Sequence, residues 1–240
     1  MKGLFFQKPL EYRLNINGET WKQGDDIAGT LHVKPHASGA EIPAAKVHLA
    51  YGHLKKAHAK DPAAFTILQS AEAKPEWIFK TDRNAPITDA THSLFILYGS
   101  GEELSAYGHI QLIFKPYWII EEFLKELQVA FRFVVKTMKS NKGVLDVKVA
   151  PPDSRAFAAL DQAVLSFSFD EDLLNISARF DMKKIEATAA SVDMKKEKKS
   201  FEKGYRPLDY LTSSGRFNHV QMEVAMREIL DVAEQKILLK

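Results

Sequence analysis

Cysteine is absent from all 240 residues, which removes disulfide frameworks, thiolate metal sites and a cysteine nucleophile together. No apolar run approaches the roughly 20 residues that cross a bilayer as a helix. The opening Met1-Lys2-Gly3-Leu4-Phe5-Phe6 is too short an apolar stretch for a signal peptide, so a cytoplasmic location without a transmembrane segment is the expectation. Neither sign of charge dominates: Lys and Arg number 33 against 31 Asp and Glu, a net +2, and nucleic-acid binders carry a larger basic excess. Also missing are a Gly-x-Ser-x-Gly elbow, a phosphate-cradling glycine loop, a dinucleotide fingerprint and the His-Glu-x-x-His spacing. No enzyme activity, cofactor or metal is expected.

The chain does have the composition of a packed globular protein, 45% hydrophobic and 27% charged. Its length suits two domains of about 100 residues each. From Leu10 to Val33, Leu10, Tyr12, Leu14 and Ile16 share one face, and Ile27, Gly29, Leu31 and Val33 repeat the period of two after a turn at 18–26. Such alternation marks half-buried antiparallel strands. Asp25-Asp26 reads as a turn stabiliser rather than an acid–base pair, because Asp bonds nearby backbone. Further strands are expected at 45–51, 65–68, 77–80, 93–98 and 109–114, which is the pattern of a β-sandwich. Gly99-Ser100-Gly101 reads as a flexible loop. The domain so defined spans 8–115.

The period changes at Pro116. Residues 116–127 suit a short helix with Phe123 and Leu127 buried, and strand spacing returns at Val129, Phe131, Phe133 and Val135, then at 147–149, 165–169 and 174–180. Asp170-Glu171-Asp172 falls in a turn. A second antiparallel sandwich over 128–192 is the economical reading.

The turn and strand Trp21-x-x-Gly24-Asp25-x-Ile27-x-Gly29-x-Leu31-x-Val33 resemble the entry to the amino-terminal domain of arrestin-like proteins. Pro116 to Leu127 followed by Phe131-Arg132-Phe133 resembles the inter-domain helix and next strand of the bacterial sporulation-control stage-zero M family. Phe157 to Phe167 and Asn175 to Lys184 are similar to later segments of that family, with Asp181, Lys183 and Lys184 as the acidic–basic pair that closes the apolar run. The resemblance covers residues 8–186. It departs at Gln162, where an acidic residue is usual, and at the charged run 193–203. It implies an all-β protein of two arrestin-like antiparallel β-sandwiches, with a short inter-domain helix and a carboxy-terminal helix. The function it implies is that of a non-enzymatic bacterial adaptor or regulator that binds proteins, by edge-strand or concave-face recognition around Lys115 to Glu126.

Of the eight histidines, His32 and His48 are expected to face solvent, and His53 and His58 to bracket Lys55 and Lys56 in a loop. The strongest charge cluster is Lys195, Lys196, Lys198 and Lys199, placed in a charged connector over 193–216. These lysines are candidate contacts to a protein partner or an anionic surface. The segment 217–240 reads as an amphipathic helix capped by Asn218, whose face includes Met222, Met226 and Ile229. Those three are the other candidate partner contacts. The helix packs on its own domain, on another protein or on a second copy, and the last option makes a self-assembling dimer the alternative function.

Overall fold

The computed structural model describes residues 1–36, 44–59, 61–72, 76–187 and 192–234. The chain divides into two compact units, Met1–Tyr117 and Trp118–Lys240.

In the first unit, strands β1 (Lys2–Gln7), β2 (Leu10–Ile16), β3 (Thr20–Lys22) and β4 (Asp26–Pro35) are followed by β5 (Lys46–His53) and the one-turn helix α1 (Leu54–His58). Strands β6 (Phe65–Glu72), β7 (Glu76–Lys80), β8 (His92–Gly99), β9 (Gly108–Gln111) and β10 (Ile113–Lys115) complete it. One antiparallel sheet has the order β1-β2-β4-β7 and a second the order β6-β5-β8-β9, while β3 and β10 form a short parallel pair. The inner faces contribute Tyr12, Leu14, Ile27, Trp77 and Phe79 from one sheet and Val47, Leu49, Leu94, Ile96 and Tyr98 from the other. Strand β8 is buried nearly throughout. Its opposite face also has a cover, because Phe95 and Leu97 pack with Ala57 of α1 and with Tyr107. A strand covered on both sides shows a continuous apolar run instead of alternation.

Three expectations need correction in this unit, and one strand, β1, lies outside those expected. Strand β1 pairs with β2 along its whole length, although its alternation is carried by half-exposed residues. His48 is 6% exposed rather than solvent-facing; its Nδ1 lies 2.7 Å from Ser70 Oγ, and burial, then the charge of Lys46, lower its pKa. Residues 54–58 form α1 rather than a loop. Ser100 is not in a flexible loop: its hydroxyl lies 2.6 Å from that of Tyr12, and Tyr107 donates to the Gly101 carbonyl at 2.9 Å.

The buried Glu11 of β2 accepts from Arg13 Nε and lies 2.6 Å from His36 Nε2. The Arg13 hydrogen bond, then that of His36, hold its carboxyl below the usual range, against the opposing effect of burial. A depressed folded pKa means that the contribution is complete above the unfolded value near 4.5 and is lost as pH falls through the lower folded value. Thermal melting of wild type and Glu11→Gln is therefore expected to show a gap at neutral pH that closes under acid; a gap independent of pH contradicts the assignment.

The second unit begins with helix α2 (Trp118–Val129), whose Ile119, Ile120, Phe123, Leu124 and Leu127 are buried. Strand spacing does not resume at Val129. The helix runs to that residue, Ala130 N–H still bonds the Glu126 carbonyl at 2.8 Å, and Arg132 takes the left-handed φ of 59° that ends the turn. Phe133 is buried by packing edge-to-face on Phe157 at 5.1 Å. Strands β11 (Val134–Asn141), β12 (Val144–Ala150), β13 (Leu160–Asp170), β14 (Leu173–Ala187) and β15 (Val192–Tyr205) then form one antiparallel sheet in sequential order. Helices α3 (Pro207–Tyr210) and α4 (His219–Asp231) follow.

The stretch expected as a connector over 193–216 is thus largely strand. Strand β15 pairs with β14 from Leu174↔Tyr205 to Ala187↔Val192. The inner face of the sheet carries Val147, Leu165, Phe167, Ile176, Ala178 and Phe180, all buried. Among the described residues, helices supply the layer against that face: Phe123 of α2 meets Phe167 edge-to-face at 5.3 Å. Helix α4 is held to β15 by Lys203 Nζ on Glu228 Oε2 at 2.7 Å and by Lys199 Nζ on the Val232 carbonyl at 3.1 Å. A lysine there also complements the negative end of the helix dipole. Asn218 caps α4 by accepting from Gln221 N–H. Residues 235–240 of the expected helix lie outside the described residues.

Candidate partner-binding face

Strand geometry sends successive side chains of β15 to opposite faces. Lys199 and Lys203 point to the inner side, where α4 engages them, while Lys196 and Lys198 fall on the outer side with the exposed Arg179 of β14. Cross-strand register places Lys198 opposite Asp181 and Lys196 opposite Lys183. These residues line a surface depression of about 390 Å³ together with Asp161, Gln162 and Met182, so four cations face two carboxylates.

Both carboxylates already have partners. Lys183 Nζ lies 2.7 Å from Asp161 Oδ1, and Gln162 Nε2 donates to Asp181 Oδ2 at 2.7 Å. The Lys183 hydrogen bond holds the Asp161 carboxyl below the usual range, with Lys196 and Lys148 adding to it while burial opposes it. Arg179 and Lys198 have no ion pair among the described residues. Gln162 keeps its neighbour Asp181 bonded without adding negative charge, so the positive balance of the depression survives. What such a surface can do chemically is attract and hydrogen-bond anions, Arg by a planar fork and Lys as a point charge.

The structure therefore separates the sequence-based candidates. Lys196 and Lys198 share the outer face, Lys199 is tied to α4, and the side chain of Lys195 lies outside the described ones. Met222, Met226 and Ile229 are 0%, 1% and 1% exposed. They are core residues of the second unit, and no partner reaches them while α4 stays packed. On the same helix Val220 and Val224 are 71% and 56% exposed. Of the stretch 115–126, Lys115 ends β10 in the first unit, and α2 turns Ile119, Ile120, Phe123 and Leu124 into its own core. Sequence reasoning missed Arg179 and Asp161. The readable signal for Arg179 was its place one residue before Phe180, which alternation makes inward.

Among the described residues no three His, Asp or Glu side chains converge as a metal site, and no helix is long and apolar enough to cross a membrane.

Two layered antiparallel sheets in the first unit and one five-stranded antiparallel sheet in the second, with few helices, make the chain an all-β protein of arrestin-like architecture. Among solved structures it is similar to Spo0M, the sporulation control protein from Bacillus subtilis, with a TM-score of 0.65 over 94% of this chain and 99% of that one. At 15% sequence identity this likeness is one of fold. No family model matches the chain, and no curated protein matches it.

Proposed function

We propose that the chain is a non-enzymatic, arrestin-like regulatory protein that works by binding another protein, with the outer face of β14 and β15 as its contact surface. The observation that carries this reading is the depression lined by Arg179, Lys196 and Lys198, where positive charge exceeds negative and Arg179 and Lys198 have no ion pair among the described residues. A sheet face needed only for folding gains nothing from such adjacent cations, since like charges on neighbouring strands repel. The similarity to Spo0M over nearly the whole chain supports a regulatory role, because that protein is described as a sporulation control protein. Charge and fold therefore both favour binding over chemistry.

The test is capture from a lysate of the encoding organism with the intact chain and, in parallel, with the Arg179→Glu/Lys198→Glu variant. Both substituted side chains are exposed, and Lys198→Glu stands opposite Asp181, so the variant should stay folded with a slightly lower melting temperature. The expected result is a protein retained by the wild type and lost by the variant. Identical sets of retained proteins would refute the assignment of this face.

A further inference from the structure

We infer that the partner presents an acidic, extended segment that adds to the sheet as a strand along the open edge of β15, an inference that rests on the binding function proposed above. Two independent observations lead to it. The first is topological: β15 closes the sheet order β11-β12-β13-β14-β15, so its 14 residues pair with β14 on one side and with no described strand on the other. An edge of that length offers a row of backbone N–H and C=O groups to an incoming chain. Residues 196–198, 200 and 202–204 are all exposed, so the middle of the strand is accessible.

The second is electrostatic. Lys196 and Lys198 recur at the two-residue period of a strand on the outer face, and Arg179 extends the charge one strand inward. A segment laid beside β15 places its own alternate side chains next to these cations, so acidic residues at every second position match them. Lysine on an edge also discourages pairing with like-charged strands. A second copy paired in parallel and in register would set its lysines against these lysines, whereas an acidic strand removes that repulsion. The same residues thus disfavour in-register self-pairing and select the partner, which is how specificity is built from a repulsive element together with an attractive one.

The experiment uses the full chain and a labelled eight-residue peptide of alternating Glu and Val, read by fluorescence anisotropy at low and high salt. Three comparison peptides accompany it: one with Lys for Glu, one with two Val replaced by Pro, and one with the same residues in scrambled order. The expected result is binding of the alternating acidic peptide alone, weakened about tenfold or more by salt, as exposed ion pairs are screened. Proline removes N–H donors that strand pairing needs. Arg179→Glu/Lys198→Glu should abolish binding, and Lys196→Gln/Lys198→Gln, which only neutralises charge, should weaken it about tenfold, the scale of roughly 1.4 kcal/mol.

Equal binding of the proline or scrambled peptide would overturn strand addition, and equal binding by either variant would overturn the site. Binding of anionic phosphatidylserine vesicles but not the peptide would overturn the partner class. If the peptide fails while lysate capture still yields a partner sensitive to the variant, this inference falls and the binding function stands. If lysate capture is insensitive to the variant as well, both fall.

Discussion

Replacing Met226 and Ile229 of α4 by Glu is expected to unfold the second unit without converting one oligomeric state into another. Both side chains are 1% exposed, on the helix face that also buries Met222, Ala225 and Leu230. Truncating a buried Met or Ile to Ala alone costs about 2 to 5 kcal/mol. A buried unpaired carboxylate costs more unless it takes up a proton. Against a total stability of about 5 to 15 kcal/mol for a whole domain, two such changes suffice. Met226→Ala gives the graded version, a lower melting temperature in a protein that still folds. Circular dichroism melting with size-exclusion chromatography reads both quantities. A folded variant whose mass drops from dimer to monomer would contradict packing within the chain and restore the self-assembly alternative, in which α4 is a seam between copies.

Gly29→Val is expected to disrupt the first sheet, and here the cause is close approach. A Cβ on Gly29 would stand 2.2 Å from the Asn15 carbonyl oxygen and 2.6 Å from Trp77 Cζ2. Gly29 sits on β4 between Ile16 of β2 and Trp77 of β7, so neither neighbour can withdraw without breaking its own pairing. Overpacking a core typically costs about 1 to 3 kcal/mol, and a collision with backbone belongs at or above the upper end. Gly29→Ala should already lower the melting temperature, and Val should lower it further because its β-branch adds bulk against the Trp77 ring. Melting of both variants at the wild-type temperature would contradict the packing described for this strand.

How much of the fold is readable from sequence depends on whether a segment's pattern and its environment agree. Leu10, Tyr12, Leu14 and Ile16 alternate because one side of β2 is core and the other is not, and period two reports that directly. Helix α4 is legible for the same reason, since one stripe of it is buried. Strand β15 is not legible: its outer face is charged, and its inner face includes Lys199 and Lys203, whose ammonium groups serve α4. A strand polar on both faces has the composition of a connector. Residues 129–133 mislead differently. Phe131 and Phe133 alternate in sequence, but the left-handed turn at Arg132 leaves Phe133 packed on Phe157 and places Phe131 under the Arg227 guanidinium at 5.5 Å. For the candidate face, the lysines are visible as charge. Their division between two sides is not, because it follows from the pairing of β15 with β14, and Arg179 and Asp161 join the face only through that pairing.

The most direct test of binding through this face is amide hydrogen exchange across the full chain, alone and with its captured partner. If β15 is the contact strand, protection rises along residues 196–204, while β1 and β7, the edge strands of the first unit's opening sheet, exchange at the same rate in both states. Protection confined to the first unit, with residues 196–204 unchanged, would contradict it.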